Sequence, residues 1–139
     1  MNKRVFFYNA DTNYKIPSKG IVRNKLSYLV HNEGFKLVNV NIILCSDEYL
    51  LEINKKHLNH NYYTDVITFD LSDKNNEVDG EIYISLDRIR ENKKAYNVSL
   101  FTEFQRVVIH GVLHLVGYDD HSKKDISIMR NKEQLYLSI

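Results

Sequence analysis

The sequence has little of what marks a secreted or membrane-bound protein. Its 139 residues include a single cysteine, Cys45, so no disulfide can form within the chain. No apolar run approaches the ~18 residues that a membrane span needs. The apolar patch in the basic N-terminal segment is too short for a signal peptide. These absences predict a cytoplasmic protein without a membrane partner. Cys45 lies in an apolar run and is expected to pack as a small hydrophobic residue.

An excess of one charge is lacking as well. The formal net charge of +1 neither demands nor excludes a nucleic-acid partner, because a local basic patch decides such binding. Repeats, low-complexity segments and linkers are also absent. With 43% hydrophobic and 27% charged residues, the composition is that of an ordinary globular protein. We expect one domain over residues 1–139, long enough to bury a core.

The hydrophobic pattern predicts four strands and five helices. Helices are expected after the capping serines Ser18, Ser46, Ser85, Ser99 and Ser122, the last of which forms a capping box with Asp125. The resulting order, β-α-β-α-β-β-α-α-α, predicts an α+β fold with a mixed four-stranded sheet. The helix that ends near Gly117 is expected to be central and the most buried. Strands are expected over residues 3–9, 36–45, 64–71 and 78–85. The last two are expected to pair as a hairpin. Alternation marks one face of the second strand, with Val38, Val40, Ile42 and Leu44.

Two histidines lie four residues apart in the central helix. They are His110 and His114, in the stretch VVIHGVLHLVGYDDH at residues 107–121. Residues i and i+4 share one face of a helix, so both imidazoles can reach one cation. Buried imidazoles need polar partners, which either a metal ion or ordinary hydrogen bonds would provide.

The turn after Gly117 carries three further candidate ligands, Asp119, Asp120 and His121. Two helical histidines and one later ligand form the pattern of a catalytic zinc site, in which water takes the fourth position. A metalloprotease of the H-E-x-x-H type has a glutamate directly after the first histidine, where it acts as general base. Here that position is Gly111, which argues against a peptidase.

A second candidate region is the helix that follows Ser85. It carries four basic residues, and such a face is either solvated or in contact with an RNA backbone. These residues are Arg88, Arg90, Lys93 and Lys94.

Three stretches of the chain resemble the YbeY family, the ribosomal RNA maturation endoribonucleases. HGVLHLVGYDDH is similar to the family's HGxLHLxGYDH signature, residues 58–59 and 64–69 resemble its LN…TDVLSF stretch, and residues 80–85 are similar to its GDIxIS strand. The resemblance covers residues 36–133. It implies a zinc-dependent cleavage of single-stranded RNA, with one ion per chain. It further implies a role in 3′-end maturation of small-subunit (16S) rRNA and in ribosome quality control, with rRNA, the small ribosomal subunit and its proteins as partners.

The resemblance also implies which residues hold the metal. Aligned without a gap, the family's third ligand falls on Asp120, and His121 lies one residue later. Met129 and Glu133 match a methionine and a glutamate four residues apart in the family's last helix, which supports this register. The implied ligands are therefore His110, His114 and Asp120, with His121 as the alternative to Asp120. They would act through a metal-activated water, and either that water or the neighbouring 2′-hydroxyl would attack the phosphodiester.

Two departures from the family bear on its activity. The family has an arginine between its LN and TDV elements, and residues 60–63 here contain none; Lys55, Lys56 or His60 would have to replace it. The family's aspartate in the GDI strand is Glu81. The missing arginine favours an alternative function, a ribosome-associated assembly factor whose metal is structural and whose nuclease activity is weak or absent.

Overall fold

The strands and helices follow one another in the predicted order. The structure is a computed structural model that describes residues 3–59 and 64–139. Within these residues the elements are β1 (Val5–Asn9), α1 (Lys19–Asn32), β2 (Lys36–Cys45), α2 (Asp47–Leu58), β3 (Val66–Asp70), β4 (Glu77–Ser85), α3 (Leu86–Tyr96), α4 (Leu100–Leu115) and α5 (Lys123–Leu137). Residues 60–63, which include His60 and lack the family arginine, lie outside the described residues.

Each helix begins where its serine predicts. In all five helices the serine hydroxyl accepts the backbone N–H of the third residue along, which satisfies one free donor of the first turn. Ser122 and Asp125 make both halves of the predicted capping box. The helix starts are therefore fixed by local sequence. Each cap contributes about 1 kcal/mol to the free energy of unfolding.

The four strands form one mixed sheet in the order β1-β2-β4-β3. β1 and β4 each pair with β2 in parallel, and β3 pairs with β4 antiparallel, so the predicted hairpin is confirmed. β4 is thus a central strand, and β3 is the edge strand beside it. No helix in the described part of the chain is long and apolar enough to cross a membrane.

The prediction for one face of β2 is wrong at its first residue. The pairing of β2 with β4 shifts between Leu37 and Asn39, which places Val38 in a bulge. A bulge moves the side chains before it to the other face. Leu37 therefore packs against the main core, while Val40, Ile42 and Leu44 are fully buried as expected.

α4 is the most buried of the described helices, as predicted. Ten of its sixteen residues are buried, and it contacts β3 and β4 on one side and α1, α3 and α5 on others. A Cβ added at Gly111 would lie 3.0 Å from Ile82 Cγ2 and 3.2 Å from Thr68 Cγ2. At Gly111 the helix backbone thus rests directly on side chains of β3 and β4, with no side chain of its own in between.

Cys45 belongs to a smaller core on the other face of the sheet. It is fully buried and packs with Leu50 and Ile67. Burial, with the nearby negative charges of three aspartates, raises the pKa of its thiol to about 12. The prediction that Cys45 packs as a small hydrophobic residue is confirmed.

The close packing of β4 predicts the effect of a single methyl group. A Cβ at Gly80 would lie 2.6 Å from the carbonyl oxygen of Phe69 and 3.2 Å from the Leu115 side chain. We expect Gly80→Ala to lower the free energy of unfolding by about 1–3 kcal/mol, measured by urea denaturation. Gly20→Ala is the control, because the nearest atom to its Cβ would be Ser18 Oγ at 3.9 Å. Equal midpoints for both variants would contradict this account.

Candidate metal centre

Three predicted ligands converge at the open side of α4. The Nε2 atoms of His110 and His114 lie 3.0 Å apart. The turn after the helix brings Asp120 Oδ2 to 3.4 Å from His110 Nε2 and 3.7 Å from His114 Nε2. The histidine side chains are 17% and 25% exposed and the aspartate side chain 39%, so the group is open to solvent on the aspartate side.

The spacing of these three atoms fits a tetrahedral metal ion. Ligands about 2.0–2.1 Å from zinc at tetrahedral angles lie about 3.3 Å from one another. The observed separations scatter around that value. Among the described residues, these three are the group of histidine and acidic side chains whose ligand atoms all lie within 4.8 Å of one another. The donor set could therefore hold a metal ion.

The second ring nitrogen of each histidine fixes its tautomer. His110 Nδ1 lies 2.6 Å from Glu133 Oε2, and His114 Nδ1 lies 2.9 Å from the backbone oxygen of Tyr118. A carboxylate and a carbonyl only accept, so each Nδ1 carries a proton and each Nε2 of the neutral ring presents a lone pair. Burial and the neighbouring His110 hold the pKa of His114 below its ordinary value. Two lone pairs and a carboxylate facing one point favour a cation there.

Glu133 is part of a buried chain of charges. Arg106 Nη1 donates to Glu133 Oε1 at 3.1 Å, and Arg106 Nη2 donates to Glu103 Oε2 at 2.6 Å. Burial alone would raise the pKa of Glu133, but the His110 hydrogen bond and the charge of Arg106 together hold it below its ordinary value. Glu133 therefore stays ionised and orients the His110 ring.

The partner of His114 is fixed by the end of α4. Gly117 has φ +102°, and the N–H groups of Gly117 and Tyr118 donate to the carbonyls of His114 and Leu113. This is the Schellman pattern that glycine favours at a helix end. The Tyr118 hydroxyl then donates to Glu33 Oε1 at 2.6 Å, which anchors the turn to the end of α1.

Glu33 collects donors from two further side chains. Lys132 Nζ lies 3.1 Å from Glu33 Oε2, and the Tyr136 hydroxyl donates to the same oxygen. Burial would raise the pKa of Glu33, but these three donors and the Lys132 charge lower it overall. The turn that carries Asp120 is thus tied to α1 and α5.

Sequence reasoning found the three candidate ligands but not the roles of the groups behind them. Glu133 was noted only as a register match, and Glu103, Arg106 and Glu33 were not singled out. The available signal was weak, since a Glu and an Arg three residues apart also occur on solvated helix faces. Arg106 and Glu133 are 27 positions apart in the sequence, and Glu33 and Tyr118 are 85 positions apart. Such contacts depend on the fold.

Other predicted residues are not brought to the centre. His121 is exposed and lies outside the group of ligand atoms. Arg88 is paired with Asp47, with Nη2 3.0 Å from Oδ2. Glu81 lies in the wall of a separate cavity with Ile53 and Phe69. The basic residues of α3, Arg88, Arg90, Lys93 and Lys94, do not line either cavity that borders the histidines in the described structure.

A cavity of about 340 Å³ opens in front of the ligand atoms, between α4 and β3. Besides the three candidate ligands, its wall consists of residues from α2, from β3 and from the segment before β3. These are Asn54, Leu58, Thr64, Asp65, Val66, Ile67 and Thr68. A substrate would therefore enter along the edge strand, over the stretch that carries the TDV element.

Comparisons with known proteins agree with this architecture. A family model described as "Endoribonuclease YbeY" matches residues 7–139. A curated endoribonuclease YbeY from Cytophaga hutchinsonii is 40% identical over 97% of this chain and 94% of its own length. One from Amoebophilus asiaticus is 38% identical over 96% and 90%. The solution structure of a Thermotoga maritima protein is 31% identical, covers 96% of this chain and 87% of its own, and has a TM-score of 0.63.

The choice between Asp120 and His121 can be tested by metal content. We expect purified protein, loaded with a zinc salt and freed of excess, to retain about one ion per chain. Asp120→Ala should lose this ion and His121→Ala should keep it, because only the Asp120 oxygen lies beside both Nε2 atoms. Mass spectrometry of the three proteins measures the outcome. Loss in His121→Ala alone would move the third ligand by one residue.

The role of Glu133 can be separated from that of the buried charges as a whole. Glu133→Gln removes the negative charge behind His110, and we expect metal affinity to fall by about 10-fold to 100-fold. Competition with a chromogenic chelator measures this change. Glu103→Gln is the control, because it weakens the contact with Arg106 and leaves the Glu133–His110 hydrogen bond in place. An equal fall in both variants would show that Glu133 acts only through folding.

Proposed function

The chain belongs to the endoribonuclease YbeY family, and from this premise we propose that it is a metal-dependent endoribonuclease that cleaves single-stranded RNA. The observation that carries the proposal is the convergence of two Nε2 lone pairs and the Asp120 carboxylate on one point that faces an open cavity. An open metal position beside a cavity is the arrangement of a catalytic site rather than a closed structural one.

Zinc is the ion that we propose, one per chain. Two imidazoles and one carboxylate are an established zinc set, and the three donors leave a fourth position. When bound, zinc supplies Lewis acidity toward a phosphate oxygen and toward water. His110, His114 and Asp120 would hold it, while Glu133 and the Tyr118 carbonyl keep the protons on the two Nδ1 atoms. Both Nε2 lone pairs would then be available to the ion.

The cellular role that fits this family is 3′-end maturation of 16S rRNA and ribosome quality control, in the cytoplasm. Ribosomal RNA, the small subunit and its proteins are the proposed partners, and residues 1–139 are proposed to act as one metallohydrolase domain. Arg90, Lys93 and Lys94 on α3 would hold the RNA backbone by charge. Arg88 would take part only if it left Asp47.

A second candidate is an assembly factor with a structural metal and little or no nuclease activity. The specific observation in its favour is the absence of arginine from residues 60–63. A peptidase is disfavoured, because the position of its base glutamate is Gly111, whose Cβ would already contact Ile82 at 3.0 Å. A longer side chain there would enter the packed interface with the sheet.

RNA cleavage by purified protein tests the proposal. We expect the zinc-loaded protein to shorten a labelled single-stranded RNA, and His114→Ala or treatment with a chelator to abolish this, because either removes the ion. Denaturing gels measure the products. His31→Ala serves as a control, because His31 is an exposed histidine on α1 outside the ligand group.

Two outcomes would contradict the proposed nuclease activity of this centre. Full cleavage by His114→Ala would show that the activity does not depend on this centre. Binding of RNA and small subunits without cleavage by the zinc-loaded wild type would make the assembly factor the better description. Digestion of casein in parallel would expose a peptidase.

A further inference from the structure

We propose that the groove beside the metal centre binds one nucleotide of the RNA, with its base stacked on Tyr96 and a phosphate on Arg130. We call this groove the Tyr96–Arg130 trough. It is the surface formed by Tyr96, Arg106, Arg130 and Glu133 and continued by His110 and Asp120. The inference rests on the proposed function and adds to it the site that receives the single strand.

The trough is continuous with the metal centre. The cavity in front of the ligands and the next one along share Asp65, His110 and Asp120 in their walls. That second cavity, of about 250 Å³, shares Tyr96, Arg106, Arg130 and Glu133 with a third. A strand with its scissile phosphate at the histidines would therefore continue past Tyr96 and Arg130.

Tyr96 has the properties of a stacking platform. It is the last residue of α3, and 48% of it is exposed. The guanidinium carbon of Arg106 lies 5.5 Å from the centre of its ring, and Arg106 is itself held by Glu103 and Glu133. The ring is thus supported by a fixed cation while much of its surface stays open. An exposed aromatic ring beside a binding groove is the usual platform for an unpaired base.

Arg130 supplies a positive charge that its neighbours do not neutralise. It is exposed on α5 and makes no ion pair or side-chain hydrogen bond with any residue in the ranges 3–59 and 64–139. Of the acidic groups near it, Glu103 and Glu133 pair with Arg106, and Asp120 lies among the candidate metal ligands, while Asp65 also borders the cavity. A free guanidinium in this position would bind a phosphate by paired hydrogen bonds.

This arrangement also gives a physical reason for cleavage of single strands. A base within a duplex is covered by its stacked neighbours and cannot lie on Tyr96, whereas an unpaired base can. Arg130 would in addition provide, from α5, a cation near the phosphates that residues 60–63 do not provide. The trough thus accounts for two features that the metal ligands alone do not explain: the choice of single strands and a cation near the phosphates.

Binding of a fluorescein-labelled single-stranded RNA to the zinc-loaded protein tests the trough. Stopped-flow anisotropy reads binding before cleavage, and a salt series counts the phosphates that are neutralised. We expect Arg130→Gln to weaken binding and to reduce the salt slope by about one. We expect Tyr96→Leu to weaken binding by about 5-fold to 100-fold, and Tyr96→Phe to bind like the wild type, because the ring is kept.

Matched controls make the result specific. Arg4→Gln removes an exposed arginine far along the chain from the trough and should leave binding unchanged. All variants should keep one zinc per chain, which excludes damage to the centre. Wild-type affinity in both Arg130→Gln and Tyr96→Leu, or a loss confined to Arg90→Gln on α3, would overturn the trough alone. Failure of the wild type to bind any RNA would overturn the proposed function and the trough with it.

Discussion

The hydrogen bond between Glu133 and His110 Nδ1 is the contact on which the candidate centre depends. It joins α5 to α4 at 2.6 Å, and it requires Glu133 to stay ionised inside the protein. Arg106 makes that possible, and Glu103 in turn balances Arg106. Buried charges of this kind seldom add net stability, because desolvation offsets their attraction. Their better explanation here is orientation, since the chain ends on a ring whose other nitrogen faces the proposed ion.

A second constraint sets where the two histidines stand. Glycine inside a helix costs roughly 0.5–1 kcal/mol relative to alanine. At Gly111 that cost is offset by the approach of α4 to Ile82 and Thr68, which a side chain would block. The helix is thereby held close above β3. Two other residues of the same helix, His110 and His114, therefore reach the cavity at the sheet edge. The residue that excludes a peptidase base is therefore the same one that brings the ligands to the groove.

The features that the sequence predicted correctly are those encoded locally. A serine before each helix, the i, i+4 spacing of His110 and His114, and Gly117 at a helix end each depend on a few neighbouring residues. The feature predicted wrongly is the position of Val38 on one face of β2. The apolar alternation includes Val38 in the sequence, but a bulge there interrupts the pairing with β4. Glu33 and Glu133 escaped prediction as supports of the site for a related reason. Each acts on a residue more than twenty positions away, and no periodicity reports such a contact.

The supports of the two histidines are unequal, and this has a chemical consequence. His110 donates to a charged carboxylate, while His114 donates to a neutral backbone carbonyl. A hydrogen bond to a charged carboxylate is stronger than one to a neutral carbonyl, so the His110 ring is the more firmly oriented of the two. The turn with Asp120 is fixed separately, by Tyr118 on Glu33 at its start and by the capping box of Ser122 at its end. Between these two anchors the chain has only three residues, so the side chain that reaches back to the histidines is set by the length of the turn. In the structure that side chain is Asp120, and an exposed His121 next to it follows from the same short span.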